Sequence, residues 1–201
     1  FGQGRAGLAE AIKYTAETAK ALGTAFSALK DQFKGKSLAY IAAYRKALGF
    51  TAEQMAAVGK RALMSGKSIV ETSREIASYA INMGSQFGIA SKVISQDMGK
   101  MMEDFDHFGT LGPQVLAQMS VQARRLGIEV KELASLVDKW DNFDDAAKGA
   151  SQLAQAFGMN IDAMKMMKEQ DPAKRLSMMQ QAFQATGKSV ETMSRQELKL
   201  L

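Results

Sequence analysis

The chain contains no cysteine, which excludes disulfide scaffolding, thiolate zinc sites and a thiol nucleophile. A single histidine leaves no spare base for a catalytic triad and no basis for a histidine-rich metal site. Only two prolines interrupt 201 residues, both at apparent helix starts or loops, and no strand-like alternation of apolar and polar residues is present. Long apolar runs are missing too. The longest charge-free stretch, between Glu75 and Lys92, holds Asn82, Ser85, Gln86 and two glycines, too short and too polar to span a bilayer.

What remains is helix-forming. Ala, Met, Gln, Lys and Leu dominate between glycines, and 46% of the residues are apolar, enough to bury a core. An all-α fold follows. The net charge of +5 is uneven: residues 1–50 hold eight Lys and Arg against three Asp and Glu, whereas the remainder holds eighteen of each. Lys13, Lys20, Lys30 and Lys34 carry no interleaved aromatics and no arginine cluster, so they suit a solvated helix face or an acidic protein wall rather than sequence-specific nucleic acid.

From Leu8 to Phe33 an apolar residue recurs at alternating spacings of four and three: Leu8, Ile12, Thr15, Ala19, Leu22, Phe26, Leu29, Phe33, with Thr15 the one polar member. That is a heptad seam. Ala9, Ala11, Ala16, Gly23 and Ala25 flank it where a two-stranded coil would place charges, so the broad, close-packing face suits three or more helices. The spacing predicts one long amphipathic helix over 1–34, an oligomer seam for a trimer or hexamer of copies, followed by a multi-helix globular region over 35–201.

In the second region Gly35, Gly49, Gly66, Gly88, Gly127, Gly158 and Gly187 read as helix stops. Thr51 with Gln54, Ser68 with Glu71, and Ser194 with Glu197 have capping-box spacing, and Asp171 precedes a proline suited to a first helical position. Helices are expected at about 37–48, 52–65, 69–87, 91–106, 113–126, 129–140, 143–157, 161–168, 172–186 and from 195 onward. Gly49, Gly88 and Gly127, each bracketed by apolar residues, are 39 residues apart, but the intervening sequences do not align, and recurrent Schellman-type caps explain the pattern better than a solenoid.

No constellation carries enzyme chemistry. Gly-Lys-Ser triplets at Gly35, Gly66 and Gly187 lack the glycine five residues earlier that a phosphate loop needs; those positions are Lys30, Arg61 and Ala182. A serine N-cap after a helix stop accounts for each triplet. Asp104, Asp106 and His107 read as a polar helix end, and Asp141, Asp144 and Asp145 as caps rather than a calcium loop, which needs a central glycine and a terminal glutamate. Arg124 and Arg125 complement a helix C-terminus. Fourteen methionines, grouped around Met98, Met159 and Met178, fill core gaps or line an adaptable groove for another chain. No catalytic residue, metal or cofactor is expected.

The phrase Ser120-Val121-Gln122-Ala123-Arg124-Arg125-Leu126-Gly127-Ile128 resembles tail tape measure proteins of long-tailed, contractile bacteriophages. Further phrases follow in order: Phe143-Asp144-Asp145-Ala146-Ala147, Leu153 through Ala163, Asp171-Pro172-Ala173-Lys174-Arg175, and Thr186-Gly187-Lys188 leading to Ser194-Arg195-Gln196-Glu197. The resemblance covers about the last 110 residues; the first 88 add only a compatible seam. It implies a structural virion protein inside the tail tube near the baseplate hub or tip, assembled in the host cytoplasm, which sets tail length and leaves on genome ejection. Its partners would be copies of itself and the tube, hub or tip proteins. The family offers no catalytic residues to carry over.

The opening Phe1 and an end inside a fresh helix suggest a fragment of a longer chain. An unbroken helix of this length would reach only about 300 Å, so a ruler would lie mostly elsewhere. Two other readings stay open: a helical adaptor or chaperone-like interaction module, and a membrane-perturbing segment that aids DNA passage.

Overall fold

Helices begin in this chain where side chains are at hand for their free N–H groups. Thr51 and Ser68 each accept from the backbone N–H three residues on, at 3.2 and 3.1 Å, while Gln54 and Glu71 reach back to the cap residue, so both expected capping boxes are formed. Asp171 accepts from Ala173 N–H with Pro172 in the first helical position. A computed structural model describes residues 2–133 and 140–187, with side chains from residue 7 onward, and the fold is all-α, with no strand among the described residues.

Two compact units, Phe1–Ala117 and Gln118–Leu201, divide the chain, and the division falls inside a helix. The first unit holds α1 (Gly2–Leu22), α2 (Phe26–Leu29), α3 (Gly35–Leu48), α4 (Ala52–Ser65), α5 (Ile69–Phe87), α6 (Ser91–Glu103), α7 (Phe105–Phe108) and the start of α8 (Pro113–Leu126). α1 packs on α3 and α4, α5 on α3, α4 and α6, and α6 on α4. Met55, Val58, Ile69, Ile76, Ile94 and Met98 are fully buried at its centre. The second unit contains the rest of α8, α9 (Phe143–Phe157), α10 (Ala163–Lys168) and α11 (Pro172–Ala185). Its core includes Trp140, Met159, Met166, Met179 and the edge-on pair Phe157–Phe183, whose ring centroids are 6.4 Å apart. Met98, Met101 and Met102 are likewise buried, so most of the grouped methionines fill core.

Several expectations are corrected. The helix expected over 1–34 ends at Leu22; Gly23 takes φ 58°, and 3-10 turns and the single-turn α2 carry the chain to Phe33. Gly35 opens α3 instead of stopping a helix, which leaves Ser37 inside the first turn and not at the cap. The helix expected over 91–106 breaks at Asp104, whose carboxylate turns to the His107 N–H and ring to start α7. Asn142, not an aspartate, caps α9, exchanging hydrogen bonds with Asp145. The 195 helix, the Ser194–Glu197 box, Ser189 and most of the 129–140 segment beyond Leu133 lie outside the described residues.

Gly49, Gly66, Gly88 and Gly158 do end their helices in the left-handed region. Gly84 serves differently. It lies inside α5, where the chain doubles back into α6, and a Cβ there would stand 2.5 Å from the Ile89 carbonyl oxygen and 3.3 Å from Ser91 N. Both are backbone atoms, so neither can swing aside. Gly84→Ala should therefore cost about 1–3 kcal/mol in urea unfolding although alanine is the better helix former, and unchanged stability would disprove the close approach.

Candidate functional site

The expected oligomer seam is split between the chain's own core and its surface. Ala11, Thr15, Thr18 and Leu22 recur at helical spacing and are buried on the side of α1 that packs against α3 and α4. Gly59 of α4 makes room: Leu22 and Leu29 methyls lie 3.0 and 3.3 Å from where its Cβ would stand. Leu29 and Phe33 are buried, and Phe26, half-buried, tilts against Phe33 at 5.4 Å. Leu8 and Ile12 remain 59% and 53% exposed, with Ala19 intermediate on the same edge of the helix. Of the residues assigned to the seam, Leu22, Leu29 and Phe33 thus serve intramolecular packing, and Leu8 and Ile12 form the exposed edge.

Arg45 fastens α1 to α3. Its side chain is buried on the core face of α3, and it donates from Nη1 to the Tyr14 carbonyl (2.9 Å) and from Nη2 to Glu17 Oε2 (2.7 Å). Nε reaches the Phe50 carbonyl at 3.4 Å, and the guanidinium lies 4.5 Å from the Tyr14 ring centroid. A second ion pair, Lys46–Glu10 at 3.2 Å, joins the same helices at the surface, where it adds little. In the same unit a cleft of about 440 Å³ is lined by Arg61, Met64, Lys67, Glu75, Thr110 and Pro113 among others. Arg61 donates to the Phe108 carbonyl (3.0 Å) and the Leu111 carbonyl, and burial lowers its pKa from the usual value. Lys67 pairs with Glu75 at 2.5 Å, and this partner raises the lysine's pKa. The cleft's cations are thus already engaged.

In the second unit Arg175 donates from Nε to the Glu169 carbonyl (2.6 Å) and the Met166 carbonyl (3.2 Å), and from Nη1 to Asp141 (2.8 Å). Asp141, expected as a cap, is instead this arginine's partner. Gln180, with its amide oxygen toward α8, accepts from Arg125 Nε at 2.7 Å. Arg125 therefore does more than complement its own helix end.

His107 Nδ1 lies 2.8 Å from Asp104 Oδ1 in an exposed, one-turn arrangement. Among the described residues no three His, Cys, Asp or Glu side chains converge as a cation site requires, and no helix is long and apolar enough to cross a membrane. What the arrangement offers chemically is packing surface and helix ends held by guanidinium groups. The three buried arginines were not singled out from sequence, although Ile41, Arg45 and Leu48 share one helix face and the lone charge on it is a readable signal. No protein-family model, curated protein or solved structure matches the chain.

The split seam separates two kinds of substitution. Leu22→Ala and Leu29→Ala should each lower unfolding free energy by about 2–4 kcal/mol, whereas Leu8→Gln and Ile12→Gln should stay within about 0.5 kcal/mol. Equal losses at all four positions in denaturant titrations would show that Leu8 and Ile12 are covered.

Proposed function

We propose that this chain is a segment of a bacteriophage tail tape measure protein, a structural virion component lying inside the tail tube near the baseplate hub or tip. The ordered phrases from Ser120 to Lys188 support the reading. The structural observation that favours it is the apolar edge at the N-terminal end of α1, where Leu8 and Ile12 stand exposed. On this reading the edge meets symmetry-related copies or the tube wall, and the basic excess of residues 1–50 faces acidic protein. The partners are copies of the chain and tube, hub or tip proteins; the role is structural and not enzymatic.

A second reading, a helical adaptor or chaperone-like module acting as a monomer, is favoured by the burial of Leu22, Leu29 and Phe33 inside the chain itself. Mass in solution separates the two. By light scattering over a concentration series, the tail reading predicts a trimer or hexamer that the double substitution Leu8→Glu, Ile12→Glu converts to monomer. A chain that stays monomeric at every concentration, with and without the substitutions, would move the adaptor reading ahead.

A further inference from the structure

α3 and α5 pack side by side in the first unit and leave a furrow that none of the described elements fills. On α3 the residues Tyr40, Ala43 and Ala47 recur at helical spacing and are all exposed, opposite the buried Ile41 and Leu48. On α5 the exposed Arg74 and Ile81 lie two turns apart on one face, with Ala77 between them. Where the helices meet, a hollow of about 110 Å³ is lined by Ala47, Ala77, Ala80, Ile81 and, from α6, Lys92 and Ser95. Along the furrow Tyr40 is 54% and Ile81 55% exposed.

The shape suits one aliphatic side chain of a third helix, entering as a knob into a hole floored by alanines. The charged residue that lines it is Lys92. Arg74 stands about one turn before the hollow, and Lys92 borders it at the other end. Of the carboxylates near Arg74, Glu71 accepts from the Ser68 backbone N–H and Glu75 pairs with Lys67, while Lys46 turns away to Glu10. No carboxylate lines the hollow.

We propose that this furrow is a docking groove for an acidic amphipathic helix of another protein, one leucine-like residue filling the hollow and glutamates or aspartates about one turn to either side meeting Arg74 and Lys92. The groove is independent of the Leu8–Ile12 edge and of the tail reading.

The test is fluorescence anisotropy of the whole chain with two labelled helical peptides of about 18 residues. They share a leucine face and differ only in carrying glutamate or lysine beside it. The glutamate peptide should bind and the lysine peptide should bind at least about tenfold more weakly. Arg74→Glu with Lys92→Glu should invert that order, and Ala47→Leu, which fills the hollow from an exposed position, should weaken the glutamate peptide with the circular dichroism spectrum unchanged. Equal binding of the two peptides, no binding of either, or a preference that survives the charge reversal would overturn the proposal. So would a self-association that Ile81→Glu abolishes, because the groove's occupant would then be a second copy.

Discussion

A chain built from short helices has many helix ends, and each C-terminal end leaves backbone carbonyls without an intrahelical partner. Left-handed glycines close several of these ends with backbone N–H groups, and at others side chains donate, three of them arginines. Arg45 reaches the Phe50 carbonyl just past α3, Arg61 the Phe108 carbonyl at the end of α7, and Arg175 the Met166 and Glu169 carbonyls at the end of α10. Ser95 and Gln96 do the same for the Leu48 and Gly49 carbonyls. Each guanidinium gains as well as gives, because a buried cation is tolerable only when its N–H groups are taken up. Carbonyls at a helix C-terminus carry partial negative charge, which makes them good acceptors for a cation.

This constraint explains why helices distant in sequence are held in fixed register. Arg45 also donates to the Tyr14 carbonyl and to Glu17, so it binds an interior turn of α1 and the exit from α3 through one side chain. Apolar packing between these helices is nonspecific about sliding, particularly where alanine and methionine supply much of the surface. A guanidinium with directed bonds is not. The same division of labour holds in the second unit, where Met159, Met166 and Met179 fill volume and Arg175 ties the start of α11 to the end of α10 and to Asp141.

Helix starts and stops were legible because capping is local: Thr51 with Gln54, Ser68 with Glu71 and Asp171 with Pro172 contain both partners within a few residues. The all-α class was legible for the same reason. The use of the seam was not. A heptad of apolar residues records that one face of a helix is covered, but it does not record whose surface covers it. For Leu22 and Leu29 the answer depends on the missing side chain of Gly59, some thirty residues away, which periodicity cannot register. Arg45 and Arg175 were hidden by the opposite habit, in which charged residues are assigned to the solvated face even when their spacing puts them with the core.

The division of the seam also limits what assembly can rest on. Leu8 and Ile12 together expose roughly 200 Å², against about 800 Å² per partner in a stable interface, so their edge alone does not sustain a free dimer. On the proposed reading the shortfall is met when several copies converge so that each edge has two neighbours, and a surrounding wall that raises their effective concentration strengthens the contact further. Either way each copy stays folded, because the core of the first unit is closed by Leu22, Leu29 and Phe33 without help from a neighbour. A helix with one face committed to its own fold and a narrow apolar edge left over is therefore suited to a ring of several copies rather than to a two-fold pair.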